Sequence, residues 1–366
     1  MAQVGTAPTS TETEIRAEGQ AAIVGRSPSE LFWRRFRRDR FAVGGLIFII
    51  VLIILALAAP LFAKYVNHHN PNQIFVYQEL DEFGLPKGPD AHFWFGSDAN
   101  GRDLFVQVLY GARTSLFVAF FATGIAMVIG VALGVAAGFY RGKVDTFISR
   151  LIDVVLSLPV LLLALGLVSA CGLSDTGCLG GFIKPGLLLV AYVIGLFSWP
   201  YIARIVRGQV LSLREKEFVE ASRAQGATNL RIMSKEVLPN IVAPIIVYTT
   251  LIIPSNILFE ATLSFLGIGV PPTTPSWGAQ ISDASSIFQV AWWAMLFPGL
   301  FLFGTTIAFN LVGDGLRDAL DPKSAGYSYK DKEKKRGRKR KKGAPQEDQT
   351  VAEDISMATP TLKGGS

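Results

Sequence analysis

The chain has 366 residues, half of them hydrophobic and only 17% charged, with a mean hydropathy of +0.37. That balance excludes an ordinary soluble domain built on one buried core, because several apolar runs reach the ~20 residues needed to cross a bilayer. The formal charge of +6 reflects basic residues flanking those runs, and it is not a nucleic-acid signal.

Residues 1–30 are polar, rich in Thr, Glu, Ala and Gly, and read as a disordered N-terminal tail. Residues 33–40 are Arg-rich and read as an interfacial anchor, with Trp33 at headgroup level. Six apolar runs follow, at 41–63, 115–140, 151–170, 186–206, 241–267 and 290–313. They predict an all-α integral membrane protein with one domain, residues 31–323, of six transmembrane helices. The first forty residues lack the short charged start and cleavage signal of a secretory leader, so the first run is expected to stay in place.

Six crossings put both ends on one side. Placing them inside leaves only Lys64, Lys87, Arg102, Arg113 and Lys184 outside, out of 35 Lys and Arg. The reverse would put Arg34, Arg35, Arg37, Arg38 and Arg40 outside, directly ahead of the first run. The positive-inside rule selects the first arrangement, a multi-pass protein with both termini cytoplasmic.

The outside loop, 64–114, carries Asp98, Arg102 and Asp103 at a spacing suited to a local ion-pair cluster, and Gly96 and Gly101 permit turns. Two readings stand: these residues fold the loop, or they touch substrate. His68, His69 and His92 read as loop residues, and no metal site is expected. In the second run Gly130, Gly134 and Gly138 form a small-residue ridge for close helix packing. Residues 138–144 resemble a phosphate-binding loop only in passing, since the spacing is wrong and Lys143 is not followed by Ser or Thr. The chain is therefore not expected to hydrolyse ATP.

The third run holds Asp153 and should kink at Pro159. Beyond it lie the only cysteines, Cys171 and Cys178, on a face where a disulfide can form; a disulfide and two free thiols both stand. Arg204 and Arg207 mark the inner end of the fourth run. Residues 212–240 then carry helix punctuation in a polar setting. Ser212 and Glu215 have capping-box spacing, and Glu215, Glu217 and Arg223 suit a helix dipole. Gly226 suits a left-handed stop, and Thr228 can cap a second short helix ending at or before Pro239. Phe218, Ala221, Ser222 and Gln225 recur at helical steps and give a narrow face of mostly small residues.

In the fifth run Pro244 and Pro254 should break regularity. Glu260 lies about 10 Å short of the outer end at 1.5 Å per residue. It reads either as a functional group at membrane depth or as a carboxyl bonded to a neighbouring helix. The prolines that follow, 271–275, suggest a rigid outer loop, and Glu260, Ser264 and Trp277 are candidates for a pathway or outer gate. After the sixth run, residues 324–366 read as a disordered tail with a basic stretch at 330–342.

Several segments resemble known ones. Glu220-Ala221-Ser222, Gly226 and Leu238-Pro239 resemble the E-A-A, G and L-P signature of the membrane subunits of ATP-binding-cassette importers, with Ser222 in place of the third Ala. Residues 95–103 (FGSDANGRD), 109–116 (LYGARTSL), 263–278 (LSFLGIGVPPTTPSWG) and 313–322 (GDGLRDALDP) are similar to pieces of that family's peptide and nickel subgroup. Asp98, Arg102, Asp103 and Arg113 belong to the outer-loop motifs. The resemblance implies a type I importer permease fold whose 212–240 loop carries the coupling helix, with Phe218, Glu220, Ala221, Ser222, Arg223 and Gly226 at the contact with an ATPase. It implies a homologous second permease subunit, two ATPase subunits holding ATP and Mg, and an extracytoplasmic substrate-binding protein. Di- and oligopeptides are the implied cargo, with nickel or another small solute as the alternative. A stand-alone secondary transporter would need ion-coupling residues within the spans and an inverted repeat. No cofactor is expected in this chain.

Overall fold

The computed structural model describes residues 28–75, 79–82, 84–172 and 184–320. The expected tails, 1–30 and 324–366, lie outside the described residues apart from 28–30, which open the first helix.

Helix α1, Pro28–Phe36, is short and amphipathic, with Arg37 stacked over Trp33 at 5.2 Å. Asp39 then caps α2, Arg40–Leu61: its Oδ1 accepts from Phe41 N at 2.9 Å and Ala42 N at 3.2 Å. A π-helical turn, Phe62–Val66, extends α2 to a 27-residue apolar span. Most of its large outward side chains are apolar, among them Ile47, Ile50, Ile54 and Leu57. Its buried side meets the last helix, where Gly45 lies so close to Ala308 that a Cβ would stand 2.8 Å from that carbonyl oxygen.

Helix α3, Leu104–Tyr140, starts eleven residues before the expected span because Asp103 caps it through Oδ1. The third expected crossing is not one helix. It divides into α4, Gly142–Ser157, and α5, Val160–Gly172, bent by 82°. Leu158 is extended, with ψ 144°, as a residue ahead of proline is pushed to be. The expected kink at Pro159 is thus a full break.

Helix α6, Leu187–Leu213, packs along α3. A Cβ on Gly130 would meet Ile202 Cβ at 2.7 Å, on Gly134 the Ala203 oxygen at 2.7 Å, and on Gly138 Val210 Cβ at 2.7 Å. The glycine ridge thus lets α6 lie backbone-close along α3. Past an elbow holding α7, Glu217–Ala224, the chain enters α8, Leu238–Phe265. Pro244 and Pro254 lie inside α8 without ending it, contrary to the expected break; the irregularity is a π-helical turn at Ile232–Val237, just ahead of Pro239. Gly267, at φ +77°, turns the chain back. The short α9, Trp277–Ala284, tucks against α8, where a Cβ on Gly278 would stand 2.3 Å from the Ala261 oxygen. Helix α10, Trp292–Leu320, completes a bundle of five long apolar helices plus the bent α4–α5 pair.

Candidate functional site

The polar elbow between α6 and α8 is ordered. Ser212 lies in the last turn of α6, so the expected capping box with Glu215 does not form; α7 begins after Lys216, which gives no side-chain cap. The reason is tertiary. Val210 is buried and Leu213 packs beside it, which carries α6 onward, while Glu215 is drawn to Arg141. That guanidinium holds the Glu215 carboxyl below its ordinary range. Glu217 and Glu220 lie in the first turn of α7 and Arg223 in its last, favourable ends for the dipole. Gly226, at φ +78°, ends the turn, with its N–H donating to Arg223 O at 3.0 Å. Thr228 Oγ1 accepts from Arg231 N at 3.4 Å. The second helix does not stop before Pro239 as expected: Asn229–Arg231 runs through the π turn into α8, making one apolar helix, Asn229–Phe265.

One side chain anchors α7. Val219 is fully buried among Val210, Phe139, Ile148, Ile232 and Val237, a burial that stabilises by about 1.5–3 kcal/mol. The opposite face is open: Phe218, Glu220, Ala221, Arg223 and Gly226 are exposed and Ser222 is partly so. Leu230 was not singled out by sequence reasoning. It is 73% exposed on the second arm of the elbow, and an apolar residue one turn from a capping Thr was its only signal. The elbow is also braced. Arg141, at φ +55°, forms the corner between α3 and α4 and pairs with Glu215. Arg214 donates to Phe139 O and lies 5.7 Å over that ring. Arg207 grips Asp145 with a second contact of 2.8 Å, and Arg204 meets Asp153 at 3.1 Å, tying α6 to α4. The result is a braced elbow whose outer face is exposed in this chain.

At the other end of the bundle, Asp98 and Arg102 pair at 2.6 Å, and Asp98 Oδ1 also accepts from the Asn100 and Arg102 amides at 2.9 Å. Asp103 does not join that pair. It caps α3, and its Oδ2 meets Asn67 Nδ2 at 2.9 Å and His69 Nδ1 at 2.8 Å. His69 is thus more than a loop residue, since its ring also packs against Phe75 and Phe93, at 4.4 and 4.8 Å, in a cluster of three rings. Arg113 is exposed on α3. Buried Glu79 has a carboxylate oxygen without a hydrogen-bond partner among the described residues, and burial pushes its pKa up to about 7.

The three gate candidates are all buried among the described residues. Glu260 accepts from Ser115 Oγ and Ser264 Oγ, each at 2.7 Å, and Trp277 Nε1 donates to Val108 O at 3.1 Å. Cys171 is not a free thiol; Cys178 lies outside the described residues.

Such a molecule, with several apolar crossings and a braced polar elbow between two of them, is a multi-pass membrane protein. It belongs to the family of binding-protein-dependent transport system inner membrane components, whose description matches residues 130–326. Residues 27–80 match the N-terminal transmembrane domain of oligopeptide transport permease C. The chain is 40% identical over 297 residues to the dipeptide transport system permease protein DppC of Alkalihalophilus pseudofirmus, covering 81% of this chain and 90% of that one. It is 40% identical over 301 residues to the glutathione transport system permease protein GsiD of Escherichia coli, covering 82% and 92%. A chain of the inward-facing MetNI methionine ABC transporter superimposes with a TM-score of 0.49 at 20% identity, over 58% of this chain and 96% of that one. Members of the family are non-catalytic permease subunits that work with a separate ATPase and a substrate-binding protein.

Proposed function

We propose that this permease forms half of a translocation pathway for di- or oligopeptides, and that α7 is where the ATPase engages it. The observation that carries the reading is the one-sided burial of α7: Val219 is locked into the bundle while Phe218, Glu220, Ala221, Ser222 and Arg223 remain presented beside the Gly226 turn. The names of the relatives, dipeptide and glutathione permeases, support peptide cargo; nickel or another small solute is the alternative.

In this reading a homologous second permease completes the pathway. Two ATPase subunits hold ATP and Mg, and an extracytoplasmic protein delivers cargo. The basic flanks support a cytoplasmic location for both termini and α7. Closure of the ATPase pair pushes on α7, and the Arg141, Arg204 and Arg207 contacts pass that displacement to α3, α4 and α6. Gly226→Val or Glu220→Lys is expected to lower ATPase activity stimulated by loaded binding protein at least severalfold while membrane insertion stays normal. For Gly226 the mechanism is a left-handed backbone that costs a side-chain-bearing residue about 1–2 kcal/mol. Wild-type stimulation in both variants would remove α7 from the coupling step.

A further inference from the structure

The described part of the bundle contains a cavity that the gate candidates do not touch. It measures about 450 Å³ and lies between the start of α5, the middle of α6 and the middle of α8. Phe197, Tyr201, Tyr248 and Phe259 line it together with the aliphatic Ile205 and Ile252, so most of its surface is apolar. Ser198, Ser255 and Asn256 add a few polar groups. Asn256, 2% exposed, accepts from Ser198 Oγ at 2.8 Å and donates to Thr123 Oγ1 at 2.8 Å. Val160, the first residue after the Pro159 break, closes one end.

Two observations separate this surface from one covered by lipid tails. The large exposed side chains midway along α2, such as Ile50, Ile54 and Leu57, are aliphatic, whereas two tyrosines, two serines and an asparagine are among the residues lining the cavity in the middle of α6 and α8. Polar groups at hydrocarbon depth face a solute or water path. The break between α4 and α5 ends in the same place, and irregular backbone at membrane depth is tolerated where it lines a cavity.

We propose that this cavity is a side-chain subsite for cargo, taking one bulky uncharged residue of a short peptide as it crosses. The volume falls in the range of small-ligand pockets. None of its lining residues carries a formal charge, so an acidic or basic side chain would lose its hydration without gaining a partner. The membrane subunit therefore adds a selection step of its own. This rests on the peptide-importer reading.

The test uses the assembled complex in proteoliposomes, with Ser255→Cys in the cavity and Ile54→Cys on α2 as the lipid-facing reference. A thiol in contact with water ionises and reacts, whereas one in lipid does not. Ser255→Cys is expected to react with a charged methanethiosulfonate about tenfold faster than Ile54→Cys. Phenylalanyl-leucine on both sides of the membrane should slow it severalfold; glycyl-glycine and aspartyl-lysine should not. A Ser255→Cys thiol as inert as Ile54→Cys, or equal protection by all three peptides or by none, would overturn the subsite. ATP-driven peptide uptake is measured alongside. Uptake together with an inert Ser255→Cys sinks the subsite and leaves the importer; a selectively protected thiol without uptake sinks the importer reading and leaves only a peptide-binding cavity.

Discussion

The two polar segments that interrupt this apolar bundle solve opposite problems. Residues 64–114 turn inward. Ser97, Asp98 and Asp103 are buried, and their oxygens are matched by backbone amides, an arginine, an asparagine and a histidine. The elbow around α7 does the reverse, burying Val219 and leaving the charged and small residues outward. The 64–114 segment meets most of its buried polar groups internally, Glu79 Oε2 and Asn67 Oδ1 being exceptions among the described residues. The elbow instead fixes its backbone while leaving its side chains exposed, which is what the proposed coupling role needs.

The contrast breaks most severely at Val219. Val219→Asp places an uncompensated carboxylate in an apolar seat at a cost of several kcal/mol. It should release α7, so that limited proteolysis cuts near Gly226 and binding-protein-stimulated ATPase activity falls by at least tenfold. Retained stimulation with a protease-resistant elbow would show that the anchor is not needed.

A smaller effect is expected at Asp103. Asp103→Ala removes a helix cap and two side-chain bonds, about 1–3 kcal/mol together. It should lower the melting temperature of the detergent-solubilised complex while the ATPase subunits still co-purify. Their loss would mean that the two ends of the bundle are not independent.

The smallest effect is at Glu79. Its folded pKa is raised to about 7 from an ordinary value of 4.5, so ionisation opposes folding. Stability is fully present below about pH 4.5 and is lost as pH rises through 7. Glu79→Gln should therefore melt above wild type at pH 8, and the gap should close by pH 5. A gap that widens toward low pH would refute the buried-acid account.

Much of this was readable from residue order alone. Apolar run lengths place the crossings, since a bilayer demands ~20 such residues whatever their neighbours. Gly130, Gly134 and Gly138 announce a tight seam, and Gly226 and Thr228 punctuate the elbow as their local backbone chemistry requires. The errors share a cause. Ser212 and Glu215 match a local capping rule, yet α6 runs through them because Val210 and Leu213 pack and Glu215 finds Arg141, 74 residues away. For Glu260 residue order leaves two readings, a functional group at membrane depth or a carboxyl bonded to a neighbouring helix, and its bond to Ser115 on α3 fits the second. Trp277 reaches Val108 on the same helix.

Composition, run length and turn residues thus establish a multi-pass helical protein with a capped polar elbow, because those properties depend on contacts a few residues apart. Which faces are open is a different matter. That α7 is pinned by Val219 alone, that Asp103 serves a cap and a histidine, and that Tyr201, Tyr248 and Asn256 share one cavity all follow from helices distant in the chain coming together, and no local spacing encodes that meeting.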